Sequence, residues 1–264
     1  MNALQALILG VVQGLAEFLP VSSSGHLRLL QRVFGFDTPA ATFDIVAHLG
    51  TLGAVAYAFR KDIASIIKKP AQKMTGLLVV ATLPAIAAGL LFKDIIGEFF
   101  WAGPPLAAAF ALTGVLLIIA DRFSGGKKTG KDMTYLDAVV IGLMQAAGIP
   151  PGVSRSGATL TGAFARGFER ETAARFSFLL AAIAIAGAGA LEAYGIVSGG
   201  AAVTQADLVP MAVVFISSAA VGYLAVRTLL AIIKKCRLRY FSWYLFTLAS
   251  LILLDSLVFK AFFV

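Results

Sequence analysis

Cysteine occurs once, at Cys236, so no disulfide can form within the chain and cysteine usage says nothing about redox compartment. Charge is scarce as well. Asp, Glu, Lys and Arg make up 14% of the residues, while 59% are hydrophobic and mean hydropathy is +0.88; a soluble domain carries about 25% charged residues. So apolar a chain cannot hide its surface from water, which excludes a soluble globular domain and makes lipid the solvent. Signatures of nucleotide binding and of zinc hydrolases are missing: there is no G-x-x-x-x-G-K-[ST], no H-E-x-x-H and no clustered Cys and His. The net charge of +8 does not indicate nucleic-acid binding, because much of it sits in three short clusters. Such clusters are the cytoplasmic loops expected from the positive-inside rule, with anionic lipid headgroups as a secondary partner. The first apolar stretch runs into Glu17 and Pro20 rather than a small-residue cleavage site, so it is expected to be kept and not cleaved.

What the chain does have is an internal echo. Residues 10–25 and 142–157 share Gly10/Gly142, Gln13/Gln145, Val21/Val153, Ser22/Ser154, Ser24/Ser156 and Gly25/Gly157 at a constant offset of 132. The pattern predicts a single membrane domain over 1–264 built from two repeats, 1–132 and 133–264. Each repeat interrupts an apolar stretch with a Pro/Gly/Ser break, and paired interruptions of this kind point to a binding site at the repeat interface.

A spanning helix needs about 20 mostly apolar residues. Six stretches qualify: 40–59, 75–93, 104–121, 172–195, 207–233 and 240–262. Two others, 3–33 and 135–168, are too interrupted to span. Each reads as a helix, a break and a second short helix, hence as a re-entrant hairpin, since exposed backbone at membrane depth is tolerated only inside protein or facing a water-filled cavity. The expected fold is an all-α integral membrane protein with six transmembrane helices plus two re-entrant helical hairpins in two inverted-topology repeats. Loops 60–73, 122–131 and 234–239 are basic, and loops 94–103 and 196–206 hold no Lys or Arg. Six spans put all three basic loops on the cytoplasmic side and both termini outside. The first hairpin then enters from outside, the second from inside, and the two breaks meet near the midplane.

The breaks carry the candidate chemistry. In Pro20–His26 and Pro151–Thr159, Ser and Gly residues open a helix, whose free N–H groups and positive dipole end suit an anion. Ser22, Ser24, Gly25, Ser154, Ser156, Gly157 and Thr159 are therefore expected to bind phosphate or diphosphate. Plain N-capping is the structural alternative for the serines. Arg155 adds a donor fork that matches phosphate oxygens, or else pairs with Glu17. Gln13 and Glu17, spaced i, i+4, offer oxygens to a hard cation, Mg2+ or Ca2+, with substrate phosphates completing the shell. Ser23 and His26, spaced i, i+3, suit a nucleophile and its base, with direct attack by His26 as the second option. Asp44 and His48 are expected to orient the site from behind.

These motifs resemble the undecaprenyl-diphosphate phosphatase family of the bacitracin-resistance type. Gln13 to Glu17 matches its Glu/Gln-x-x-x-Glu, Pro20 to His26 its Pro-Val-Ser-Ser-x-Gly-His, and Pro151 to Thr159 its Pro-Gly-x-Ser-Arg-Ser-Gly-x-Thr. Phe43-Asp44 through His48-Leu49-Gly50 is a third similar stretch, and the likeness runs in order over essentially the whole chain. The resemblance implies a multi-pass enzyme of the bacterial inner (plasma) membrane; the entry of the first hairpin from outside is what puts the expected cavity on the outward face. The enzyme's substrate would be undecaprenyl diphosphate, and the undecaprenyl phosphate it releases is the recycled carrier for peptidoglycan and other envelope polymers. It also implies a divalent cation and functional roles for Glu17, Ser23, His26, Arg155 and Thr159, and leaves a homodimer open. The competing reading of the architecture is a polyprenyl-lipid flippase or transporter using the same anion site.

Overall fold

A computed structural model describes residues 1–36, 40–91, 99–100, 102–195, 205–235 and 237–263. Among them the fold is all helical, with one isolated parallel bridge between Lys128 and Phe168 as its only extended pairing. The first pair, α1 (Ala3–Ala16) and α2 (Ser23–Val33), forms one hairpin. At about 1.5 Å per residue these helices reach only about 21 and 16 Å, short of a roughly 30 Å hydrocarbon core. A reciprocal Asn2–Gln5 capping box starts α1, and the chain leaves helix before Pro20.

The second hairpin repeats the design. Helix α7 (Tyr135–Ala147) opens on a Thr134–Asp137 capping box and stops ahead of Pro150 and Pro151, and α8 (Arg155–Ala165) returns. Between and after the hairpins run α3 (Ala41–Ala58), α4 (Arg60–Lys68), α5 (Lys73–Leu91), α6 (Gly103–Phe123), α9 (Arg170–Gly195), α10 (Gln205–Lys235) and α11 (Arg239–Leu254), the last continued by a π-helical turn, Asp255–Phe259. Among the described residues five helices are long and apolar enough to cross a membrane, and there are six spans if α3 and α4 are one bent unit. Their outward faces carry Leu83, Leu90 and Leu91 on α5 and Ile216 and Leu224 on α10, all exposed, as lipid contact requires. The chain is a multi-pass membrane protein.

One segment differs from the sequence reading. Residues 60–68, expected as loop, form α4, turned 80° from α3. No proline or glycine interrupts 59–68, so helix resumes as soon as Phe59 has redirected the chain. Ile63 and Ile66 pack against the core while Arg60, Lys61 and Lys68 stay outside, the pattern of a helix lying in an interface rather than crossing it. Loop 94–103 lies largely, and loop 196–206 almost wholly, outside the described residues, as does Cys236.

The hairpins pack crosswise. Helix α1 lies against α10, and α7 lies against α5, so each half's hairpin rests on the other half's helix; α6 pairs with α11. Gly10 and Gly142 permit the first two contacts. A Cβ at Gly10 would fall 2.7 Å from the Val214 carbonyl oxygen, and one at Gly142 2.5 Å from that of Ala81. At one end of the bundle the basic segments converge. Asp121 accepts from the Leu238 amide (2.9 Å), Arg170 donates to the Ile233 carbonyl (2.8 Å), Arg175 pairs with Asp62 (2.7 Å), and Lys73 donates to the Lys131 carbonyl (3.3 Å). Phe18, Phe110, Phe164, Phe176 and Phe178, all fully buried, fill the core beside the hairpins.

Candidate active site

The two breaks interlock. Gly152 N–H donates to Ser22 Oγ (3.1 Å), and Ser156 Oγ donates to the Leu19 carbonyl (3.2 Å). Gly25 and Gly152 touch: a Cβ at Gly25 would lie 2.8 Å from Gly152 Cα and 2.6 Å from the Phe110 ring. Gly152 adopts φ +92°, a conformation costly for any other residue. Ser22 is held at φ 70° without that excuse, strain sustained by the contacts around it. Thr113, the middle residue of the 21-residue α6, anchors the second break. Its hydroxyl donates to the Gly152 carbonyl (3.0 Å) and accepts from Ser154 N–H (2.9 Å). The breaks thus meet at mid-height of a membrane-length helix.

Ser22 and Ser154 are N-caps. Each hydroxyl accepts from an amide three residues on, Gly25 at 3.3 Å and Gly157 at 3.0 Å. The structural alternative therefore holds for these two serines. The first-turn amides of Ser23, Ser24, Arg155 and Ser156 have no hydrogen-bond partner among the described residues and are the donors left for an anion.

Both first turns end on one carboxylate. Glu17, buried at the end of α1, accepts from Arg155 Nη2 on Oε1 (2.5 Å), and from Ser23 Oγ (2.5 Å) and Gln13 Nε2 (3.0 Å) on Oε2. His48 Nε2 stands 3.5 Å from the same Oε2. A buried carboxylate is expensive unless paired, and here every donor comes from a different turn or helix. Gln13, Glu17, Ser23, Arg155 and His48 are therefore one constellation, whereas the sequence spacing pairs Ser23 with His26.

Other predicted residues stand apart. His26 makes no hydrogen bond to Ser23; Nδ1 meets the Ser22 carbonyl (2.7 Å) and Nε2 meets Tyr244 Oη (2.6 Å). The Asp44 carboxylate accepts from Gln31 (2.6 Å), and its backbone carbonyl receives His48 Nδ1–H (2.7 Å). Thr159 donates to the carbonyls of Arg155 and Ser156 in its own helix (3.0 and 3.1 Å). Ser24 and Ser156 lie beside the capping hydroxyls, at 3.4 and 3.1 Å.

Thr51, Thr113, Phe110 and Tyr244 escaped the sequence reading. Thr51 accepts from Gln13 Nε2 at 3.5 Å, and its spacing with Asp44 and His48 along one helix face was the available signal. The other three carry no local signal; distant helices bring them in.

For a divalent cation the donor set is small. Among the described residues no three His, Cys, Asp or Glu side chains cluster. Gln13 Oε1, however, is buried with no hydrogen-bond partner, next to the Glu17 carboxylate. An unfilled hard oxygen beside a carboxylate fits Mg2+ or Ca2+, provided phosphate oxygens and water complete the shell.

A family model described as Bacitracin resistance protein BacA matches residues 6–251. A protein of Carboxydothermus hydrogenoformans named undecaprenyl-diphosphatase is 45% identical over 253 residues, covering 96% of this chain and 97% of the relative. A protein of Bacillus cereus strain ZK named undecaprenyl-diphosphatase 4 is 42% identical over 254 residues, and an undecaprenyl-diphosphatase of Rubrobacter xylanophilus 40% over 267, each with the same coverage. The chain belongs to the BacA family.

Proposed function

We propose that this member of the BacA family hydrolyses undecaprenyl diphosphate to undecaprenyl phosphate and inorganic phosphate, returning the lipid carrier to envelope-polymer synthesis. The names of its relatives support the reaction. The observation that carries the site assignment is the shared carboxylate: hydroxyl and guanidinium from two breaks converge on Glu17.

In this reading Ser23 Oγ attacks the terminal phosphorus. Its proton passes to Glu17, the group it already contacts, and the phosphoric anhydride bond breaks to release undecaprenyl phosphate. Water then attacks the phosphoserine with His26 Nε2 taking its proton, the Ser23 Oγ–P bond breaks as Glu17 returns the proton to Oγ, and inorganic phosphate leaves. Arg155 moves its fork from Glu17 onto the phosphate, and the amides of Ser23, Ser24, Arg155 and Ser156 hold the oxygens as charge develops. A bound Mg2+ or Ca2+, held by Glu17 and Gln13 Oε1 with substrate oxygens, would neutralise phosphate charge. His48 and Thr51 keep Glu17 and Gln13 in place.

The halves are read as inverted repeats, supported by the crosswise packing of α1 on α10 and α7 on α5. The convergent basic segments are assigned to the cytoplasm of the plasma membrane, both termini and the cavity to the outside. The test uses purified protein in detergent with a polyprenyl diphosphate and Mg2+. Phosphate release abolished by EDTA supports the enzyme. Lipid crossing vesicles with no phosphate release under any metal would instead support a flippase.

A further inference from the structure

We infer that Tyr244, on α11, is a positioning residue for His26, holding the one ring nitrogen that carries a lone pair. The inference deepens the phosphatase reading of the same site and rests on it for its meaning. Nδ1 of His26 lies 2.7 Å from the Ser22 carbonyl oxygen. A carbonyl can only accept, so Nδ1 bears the hydrogen, and in the neutral ring Nε2 is then the acceptor. Tyr244 Oη is 2.6 Å from Nε2, so the phenol O–H donates to it.

The rings also stack, with centroids 5.7 Å apart and planes 12° from parallel, while the Phe110 edge meets the imidazole at 5.2 Å and 83°. One hydrogen-bonded line runs from Gly152 N–H through Ser22 to His26 and Tyr244. It links the second break to α11 and leaves the imidazole one tautomer and one orientation. Tyr244 is about half exposed at 47%, so its hydroxyl can yield Nε2 to an arriving phosphate or water without unpacking the core.

Tyr244→Phe keeps the stack and removes the hydroxyl. The expected result is a fall in kcat of about 10-fold with KM within about twofold, since a base held loosely misplaces its lone pair. Diethyl pyrocarbonate should modify His26 about fivefold or more faster in the variant, its Nε2 being released; mass spectrometry of peptides cut at Arg28 separates His26 from His48. An unchanged kcat and modification rate would overturn the inference. A KM effect with no change at His26 would also overturn it, placing Tyr244 on the substrate instead. In the unsubstituted protein, 15N NMR should show the Nδ1–H tautomer of His26, and an Nε2–H tautomer would equally end the proposal. The modification and NMR measurements need no turnover, so a chain without phosphatase activity can still report the Tyr244 contact.

Discussion

Ser23 and Arg155 occupy the first turns of two helices 132 positions apart in sequence, and their side chains reach the two oxygens of a single carboxylate, Glu17, at 2.5 Å each. Equivalent positions of a duplicated motif thus supply unlike groups, a hydroxyl and a guanidinium. The two similar breaks therefore make an asymmetric site.

Removing the hydroxyl tests that asymmetry. Ser23→Ala should lower kcat by about 100-fold or more, the scale of losing a positioned reacting group, while purified variant protein elutes and melts as the parent does. Phosphate release at parental rates would eliminate Ser23 as nucleophile.

Arg155→Lys should restore little. Lysine keeps the charge but loses the planar fork, and kcat should stay about 100-fold down, the loss expected of a transition-state donor. Glu17→Gln should be as damaging, because it removes the proton acceptor of Ser23 and leaves the part-buried Arg155 without its carboxylate partner. Steady-state kinetics on both variants decide the matter.

Gln13→Glu should sharpen metal dependence. A second carboxylate beside Glu17 repels it until a cation bridges them, so the Mg2+ or Ca2+ concentration for half-maximal rate should fall about 10-fold, with lower activity after EDTA. Titration of the metal in a phosphate-release assay measures this.

Thr113→Val and Thr159→Val should separate scaffold from site. The first leaves the Gly152 carbonyl and the Ser154 amide unpaired in a buried place, at a cost of about 1–3 kcal/mol, seen as a lower Tm. The second removes a hydroxyl bonded only to its own helix, and KM for lipid diphosphate should change less than about threefold.

Gly25→Ala should disrupt the junction. The new methyl would sit 2.6 Å from the Phe110 ring and 2.8 Å from Gly152 Cα, and overpacking costs about 1–3 kcal/mol even before backbone shifts. Thermal melting in detergent reads it, and an unchanged Tm would show that the breaks are looser than described.

The apolar spans, the two hairpins and, as one of two options for Arg155, its pairing with Glu17 were legible in the chain; the contact of Ser23 with Glu17 was not. The legible features follow from hydropathy, from Pro and Gly at the breaks, and from a repeat with a fixed offset. Spacing placed Gln13 beside Glu17, because i, i+4 on a helix fixes a neighbour with no tertiary information. It did not place His26. Proximity to Ser23 in sequence suggested a nucleophile–base pair, yet the first turn of α2 splays the two apart, Ser23 to Glu17 and His26 to Tyr244. Asp44 sits at the right spacing from His48 but serves it through backbone rather than carboxylate.

The sequence by itself determined what is local and periodic: which segments seek lipid, where helix must stop, and which polar groups interrupt them. Tertiary structure alone decided the partners of those groups. Thr113 at the second break, Tyr244 on His26 and the crosswise seating of each hairpin depend on helices more than 35 positions away in the chain. Short-range periodicity records which face a residue occupies, but only the packing of whole helices settles what that face meets.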